Sequence, residues 1–267
     1  GGAHAAGHRR LARPDLWVVR RPDPLGCTPR GFPNRHGIAG RGAQYFGHLW
    51  EVAPVNAVER IEELAGLLAI PGVVEELELR STLGVCALHG GGLERATEAV
   101  AREVAERTGA SYYAVVQPEG SRHHLSSTRF DPKGSSRLAA FLGRSETVVS
   151  IHGYGREDDF WAVLLGGTNR VLASHMAGHL RGVLPEEYRV VDDVAAIPRP
   201  LRGLHPDNPV NRPLNGGVQV EIPPGLRWNR DHGFWSDADD TPRAEQLDLL
   251  IDGLVAAIDD WPGPTSN

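Results

Sequence analysis

The stretch LGVCALHGGGLERATEAVARE, residues 83–103, contains a strand, a turn and a helix in direct succession. LGVCAL is a short apolar run that predicts a buried strand, and residues 94–109 have the apolar spacing of an amphipathic helix. Three glycines, which adopt positive φ easily, separate the two elements. Because a strand that turns directly into a helix is the building unit of α/β folds, the stretch predicts an α/β domain.

Similar units fill the rest of the chain. We predict further strands at 73–79, 112–117, 147–153, 160–167, 188–193 and 217–222, and helices at 56–70, 138–143, 168–184 and 242–260. This alternation favours a central, mostly parallel or mixed sheet with helices on both faces, an α/β/α architecture. We expect residues 51–267 to form this domain and residues 1–50 to be a partly irregular N-terminal extension.

The amino-acid composition and net charge of the chain indicate which classes of ligand it binds. The net charge of −6 argues against nucleic acid as a ligand, and the chain has no run of about 18 apolar residues that would span a membrane. Of the 28 basic residues only Lys133 is a lysine, and arginine binds carboxylates through paired hydrogen bonds. Codon bias is the simpler explanation of this arginine content, and a supply of arginine also suits an anionic substrate. We expect a monomer.

The cellular compartment stays open between cytoplasmic and secreted. The two cysteines do not form a disulfide framework. Because Met176 is the only methionine, we expect an N-terminal part, such as a signal peptide, to be missing from this sequence.

A histidine and an acid flank the glycine run of the opening stretch. His89 follows a predicted strand, and ligands bind beyond the carboxyl ends of strands in open α/β sheets. Glu94 returns at the first turn of the next helix, so the tight loop can aim an imidazole and a carboxylate at one point. The alternative is an ordinary turn in which Glu94 complements the helix dipole.

A second histidine, His152, ends the predicted strand TVVSIHG. Two histidines and one glutamate are the three protein ligands typical of a catalytic zinc with an open fourth position. We therefore predict one zinc ion per chain, held by His89, Glu94 and His152. A structural, hydrogen-bonded His152 is the alternative.

Glu221 is the predicted general base. In the strand VQVEI, Gln219 and Glu221 share one face while the valines and isoleucine take the other. Glu221 would take a proton from the water that attacks a carbonyl and pass it to the leaving amine. A buried ion pair between Glu221 and an arginine is the alternative.

Several motifs in the same order resemble the phage-type poly-γ-glutamate hydrolases. They are HGGGLE (89–94), HHLSSTRFDPKG (123–134), SIHG (150–153), LLGGTN (164–169) and NRPLNGGVQVEI (211–222). That family is similar in fold and zinc chemistry to the carboxypeptidase A group. The resemblance implies the same zinc ligands, His89, Glu94 and His152, and Glu221 as the base. The chain departs from the family in residues 1–50 and in Arg129, where the family pattern has a histidine.

The resemblance also implies a glutamyl substrate, which carries a free carboxylate beside each scissile γ-linked amide. Arginine paired with asparagine is a natural receptor for that group. Our predicted substrate-binding residues are Asn211, Arg212, Arg227, Arg129, His124 and Asn169. An ordinary surface or loop role is the alternative for each of them.

Two further clusters of polar residues are interpreted as surface features and not as binding sites. His175 and His179 share a helix face, and without a third ligand nearby they predict a solvated surface. The acidic run SDADD, residues 236–240, lacks the spacing of a calcium loop and predicts a solvated turn before the last helix.

The predicted function is a zinc-dependent hydrolase of γ-glutamyl amide bonds, acting on poly-γ-glutamate or a related polymer. One alternative is a zinc amidase for another amide that carries a carboxylate, such as an N-acyl amino acid or a peptidoglycan-type γ-glutamyl bond. The other is a non-catalytic module that binds an anionic polymer and would have no need for Glu221.

Overall fold

The computed structural model of the chain describes residues 59–60, 62–156, 159–238 and 240–263. Its central sheet has seven strands, which are β2 Val74–Glu78, β3 Leu83–Gly91, β4 Ser111–Gln117, β6 Thr147–Gly153, β7 Ala162–Leu165, β8 Arg189–Val191 and β9 Gly217–Ile222. They lie in the sheet in the order β2-β4-β3-β6-β9-β7-β8. The predicted N-terminal extension lies outside the described residues.

The sheet is mixed. Strands β4, β3, β6 and β9 are parallel to one another, so their carboxyl ends meet at one edge. Strand β2 runs antiparallel to β4, and β7 runs antiparallel to β9 and parallel to β8. Among the described residues, two short strand pairs lie outside this sheet: β1 Glu59–Arg60 with β5 His123–His124, and β10 Trp228–Asn229 with β11 Phe234–Trp235.

Helices cover both faces of the sheet, as predicted. They are α1 Leu64–Leu68, α2 Thr97–Thr108, α3 Ser136–Arg144, α4 Arg170–Val183, α5 Pro224–Arg227 and α6 Glu245–Asp259. Alternation along β3 divides the core: Val85 and Ala87 pack in a cluster with α2, α4 and α6, whereas Cys86 and Leu88 pack in a second cluster with α1 and α3. Because both faces of the sheet are buried, these strands have continuous apolar sequences instead of alternating ones.

The predicted elements are present with shifted ends, except for the helix over 56–70. Among the described residues of that segment, only Leu64–Leu68 are helical, and Glu59–Arg60 pair as a strand with His123–His124. Pairing between distant segments has overridden the helical spacing of this stretch. The loop 194–216 is present and contains only two single turns of 3₁₀ helix, Arg199–Leu201 and Pro209–Asn211. Within the described part of the chain, every helix falls short of the length and apolarity needed to cross a bilayer.

Candidate metal centre and cleft

Three neighbouring parallel strands bring the predicted site residues to one edge of the sheet. His89 lies near the end of β3, His152 near the end of β6 and Glu221 near the end of β9. His152 pairs in register with Glu221 across the β6–β9 ladder. Each of the three residues is at most 4% exposed. Sheet pairing, rather than proximity along the chain, therefore sets their spacing.

A bulge in β3 determines where His89 points. The pairing register between β3 and β4 shifts between Ala87 and Gly90. Strict alternation would place His89 on the side of Ala87, but its ring contacts Phe130, which belongs to the same cluster as Leu88. Bulges of this kind re-aim a side chain at the edge of a sheet. With this irregularity the ring centroids of His89 and His152 lie 5.1 Å apart.

The glycine run lets the chain reverse sharply after His89. Gly91 has φ of +68°, and a Cβ there would lie 2.2 Å from the backbone oxygen of Gln117. Glycine is therefore the residue that this approach allows. The turn closes when the backbone N–H of Glu94 donates to the carbonyl of His89 at 3.0 Å. Glu94 consequently faces the histidine that precedes it.

The carboxylate of Glu94 lies between the two imidazoles. Its Oε1 is 2.7 Å from Nδ1 of His89, and its Oε2 is 3.3 Å from Nδ1 of His152. The N–H of Gly153 donates to Oε2 at 2.9 Å and helps to orient the group. One potential ligand atom from each of the three residues lies within 4.8 Å of the others.

The hydrogen bonds around His89 suit a cation at this point. Nε2 of His89 lies 2.8 Å from the carbonyl oxygen of Leu125, which can only accept, so Nε2 must be the donor. In the neutral ring Nδ1 then carries a lone pair that faces a carboxylate oxygen. A proton or a metal ion resolves that contact, and histidine ligands of metals usually donate their other N–H to a carbonyl in this way. The donor set therefore fits zinc.

The charges of the three residues depend on one another. Burial alone would raise the pKa of Glu94, but the imidazoles of His89 and His152 outweigh it and hold that pKa well below its usual range. Burial alone would lower the pKa of His89, but the carboxylate of Glu94 raises it above the ordinary value. The site thus strongly favours a negative Glu94 beside positive charge.

Glu221 is also a buried acid, but its pKa is shifted in the opposite direction from that of Glu94. Burial raises its pKa from 4.5 to about 7, and the nearby His152 offsets only part of that effect. Nε2 of Gln219 donates to Oε1 of Glu221 at 2.7 Å, and Nδ2 of Asn208 donates to Oε1 of Gln219 at 2.8 Å. This chain of amides fixes the orientation of the carboxylate.

An open cleft of about 760 Å³ lies in front of these residues. His89, Glu94, His152 and Glu221 all line it. The remaining walls come mainly from residues 126–128 and from residues 199–206 of the long loop. A buried acid of raised pKa that lies beside a potential metal centre and lines the same cleft is an arrangement suited to acid–base chemistry on a bound molecule.

Comparison with known proteins identifies the family. A family model described as poly-gamma-glutamate hydrolase matches residues 71–241. The matched region contains His89, Glu94, His152 and Glu221. The chain belongs to the poly-γ-glutamate hydrolase family.

Curated relatives of this poly-γ-glutamate hydrolase family member come from Bacillus subtilis (strain 168). The UPF0714 protein YndL is 33% identical over 159 residues, which are 58% of this chain and 58% of YndL. The SPbeta prophage-derived UPF0714 protein YoqZ is 30% identical over 146 residues, which are 52% of this chain and 47% of YoqZ. The chain thus spans about half the length of the curated relatives that it matches.

Two solved structures of similar proteins have the same fold. A bacteriophage poly-γ-glutamate hydrolase superposes with a TM-score of 0.61 at 26% identity, covering 74% of this chain and 94% of the phage protein. A zinc-free structure of YndL superposes with a TM-score of 0.61 at 25% identity, covering 76% of this chain and 96% of that chain. The described domain therefore corresponds to nearly the whole of these two structures.

The predicted substrate residues lie in different places. His124 lines the cleft, and its ring centroid lies 5.1 Å from that of His89. Arg129 and Arg212 line an adjoining cavity of about 510 Å³, which shares Thr128 with the cleft. Arg129 pairs there with Glu62 at 3.1 Å and Arg212 with Asp207 at 3.6 Å, and a role of His124 and these arginines in substrate binding stays a prediction.

The other three predicted substrate residues bond to the protein itself. Asn211 donates to the carbonyls of Gly203 and His205, and Asn169 caps helix α4 through the N–H of Leu172. Arg227 is 4% exposed and donates to the carbonyls of Arg95 and Tyr154. In this arrangement their polar groups hold loops and turns around the cleft, and direct contact with substrate stays a prediction.

Sequence reasoning missed two residues that shape the site, Asp237 and Asn208. Asp237, from the run interpreted as a solvated turn, accepts hydrogen bonds from the backbone N–H of Ala96 at 2.6 Å and from Nε of Arg95 at 3.1 Å. Ala96 has φ of +68° at the start of helix α2, so this contact stabilises a strained turn just after Glu94. Asn208 was missed too, and no local pattern marks either residue.

Proposed function

We propose that this chain is a zinc-dependent hydrolase of γ-glutamyl amide bonds, with poly-γ-glutamate or a closely related polymer as its substrate. The observation that carries the proposal is the convergence of His89, Glu94, His152 and Glu221 in one cleft. Family membership and the zinc-free form of the relative YndL support the same chemistry.

His89, Glu94 and His152 would hold the ion. When bound, zinc supplies Lewis-acid chemistry, which polarises a carbonyl oxygen and lowers the pKa of a water molecule. Nε2 of His89 stays bonded to the carbonyl of Leu125, so the ring keeps its orientation while Nδ1 binds. Ser150 Oγ lies 2.9 Å from Nε2 of His152 and orients that ring in the same manner.

Glu221 would act first as a general base and then as an acid. Its carboxylate takes a proton from the attacking water, and the neutral carboxyl then donates that proton to the leaving nitrogen. A group with a pKa of about 7 is suited to both steps near neutral pH. Gln219 and Asn208 keep the carboxylate oriented without supplying a proton of their own.

The polymer's free carboxylates would bind to arginines around the cleft. Arg199 and Arg202 belong to the long loop and line the cleft itself, whereas Arg129 and Arg212 line the adjoining cavity. The arginines of the cleft match a substrate that carries carboxylates. Arg129 and Arg212 already pair with Glu62 and Asp207, so a polymer would have to displace those acids to bind there.

One assay tests the proposal. The zinc-loaded chain is incubated with poly-γ-glutamate, with α-linked polyglutamate and with small N-acyl glutamates, and product length is followed by size-exclusion chromatography. We expect shortening of the γ-linked polymer alone, lost in Glu221→Gln and retained in Glu106→Gln, which alters an exposed acid of helix α2. Cleavage restricted to small amides would instead identify an amidase. Polymer binding without cleavage would identify a binding module.

A further inference from the structure

A second group of metal-ligating side chains lies on the helices, away from the cleft. His175 and His179 are four residues apart on helix α4, and their ring centroids are 4.7 Å apart. Asp260 follows the last residue of helix α6, and its Oδ2 lies 3.4 Å from Nε2 of His179. One potential ligand atom from each residue lies within 4.8 Å of the others. The helix packing thus supplies the third ligand that the sequence alone did not reveal.

The tautomer of His175 leaves a nitrogen available for an ion. Nε2 of His175 lies 3.0 Å from the carbonyl oxygen of Ala257, which can only accept, so Nε2 is the donor. In the neutral ring Nδ1 therefore keeps its lone pair. A ring that donates one N–H to a carbonyl while its other nitrogen is free has the orientation typical of a histidine ligand. Ala257 belongs to the final turn of α6, so this hydrogen bond joins α4 to the C-terminal end of α6.

The group is accessible and has space around it. The side chain of Asp260 is 74% exposed and that of His179 is 27% exposed, so an ion can enter from solvent. A shallow depression runs beside them over Gly178 and Gly182, where an added Cβ would meet no atom within 4 Å. Water molecules can therefore complete the coordination of an ion held by three side chains.

We propose that His175, His179 and Asp260 form a second site, for a divalent transition metal such as Zn²⁺, Ni²⁺ or Cu²⁺. Two imidazoles and one carboxylate suit these ions, whereas Mg²⁺ and Ca²⁺ prefer oxygen ligands alone. An ion there links the C-terminal end of α6 to α4. The site shares no residue with the cleft, so we expect metal binding there to be independent of the proposed hydrolysis.

Counting bound ions tests the proposal on the full chain. The protein is dialysed against buffered Zn²⁺ or Ni²⁺, and bound metal is measured by mass spectrometry. We expect one more ion on the parent chain than on His179→Ala, and hydrolytic activity should be the same in both. Titration should show binding at this site weakened by at least about 10–100-fold in Asp260→Asn. Asp259→Asn, which removes the same charge one residue earlier, is the matched control and should retain the ion.

A parallel measurement separates the two sites. In the double variant His89→Ala/His152→Ala the ion of the cleft is removed, and Ni²⁺ should still bind and raise the melting temperature. Adding His179→Ala should abolish that increase. Equal metal content in the parent and His179→Ala would overturn the proposal, as would equal loss of the ion in Asp259→Asn and Asp260→Asn.

Discussion

Replacing Glu221 with glutamine should make the metal-free protein more stable while removing its activity. Glutamine has the shape of glutamate and can still accept the hydrogen bond from Gln219. It cannot ionise, however, and so avoids placing a negative charge in a buried position. The variant therefore distinguishes the effect of the buried acid on folding stability from its effect on catalytic activity.

The magnitude follows from the raised pKa of Glu221. Folding raises that pKa from 4.5 to about 7, and each pKa unit corresponds to about 1.36 kcal/mol. Below pH 4.5 the carboxyl is protonated in the folded and the unfolded chain, so the parent bears no penalty. As the pH rises from 4.5 to 7 only the unfolded chain ionises readily, and the parent loses stability. Above pH 7 the variant should be more stable by on the order of 3 kcal/mol.

Urea denaturation in the presence of a chelator measures this difference. The free energies of unfolding of the parent and Glu221→Gln are compared at pH 4.5, 6, 7 and 8, with Glu106→Gln as the control for an exposed acid. The control should stay within about 0.5 kcal/mol of the parent. In the metal-loaded proteins, kcat of Glu221→Gln should fall by about 10²–10⁴. A stability difference that does not grow with pH would refute the burial argument, and an unchanged kcat would refute the role as base.

Three further predictions concern residues that support the site. Gly91→Ala should destabilise the protein by more than the roughly 1–3 kcal/mol that backbone strain alone costs, because the new Cβ also meets backbone atoms. Gly109 has positive φ as well but faces open space, so Gly109→Ala should cost only the strain. Urea denaturation of the two variants measures the difference. Asn208→Ala should lower kcat more than it changes KM, because the amide chain that orients Glu221 loses its first donor; steady-state kinetics checks this. Asp237→Asn should weaken zinc binding by about 10–100-fold in chelator competition, because the turn that follows Glu94, a proposed zinc ligand, is less firmly held; unchanged affinity would contradict that role.

Much of the site was predictable because its main residues sit at the ends of strongly patterned strands. Apolar runs marked β3, β6 and β9, and a histidine or glutamate near the end of each stood out against them. Parallel strands bring such ends together, so His89, His152 and Glu221 were expected at one edge. What the pattern could not show is the bulge in β3 that turns His89 toward the cleft.

Contacts between distant segments account for what was missed. Asp237 and Ala96 are far apart along the chain, so the acidic run before the last helix looked like a solvated turn. The predicted helix over 56–70 was too long because pairing of Glu59–Arg60 with His123–His124 outweighed its local spacing. Local periodicity carries no information about such partners.

The in-register pairing of His152 with Glu221 has an evolutionary consequence. Because the hydrogen-bonded ladder sets the distance between these two side chains, the chain that connects their strands is free to change in length and composition. Residues 199–206 of that connection line the cleft. Natural variation can therefore remodel substrate preference through insertions and deletions there, while the reactive groups keep their spacing. A single inserted residue inside β9 would have the opposite effect, since it would turn the base toward the other side of the sheet.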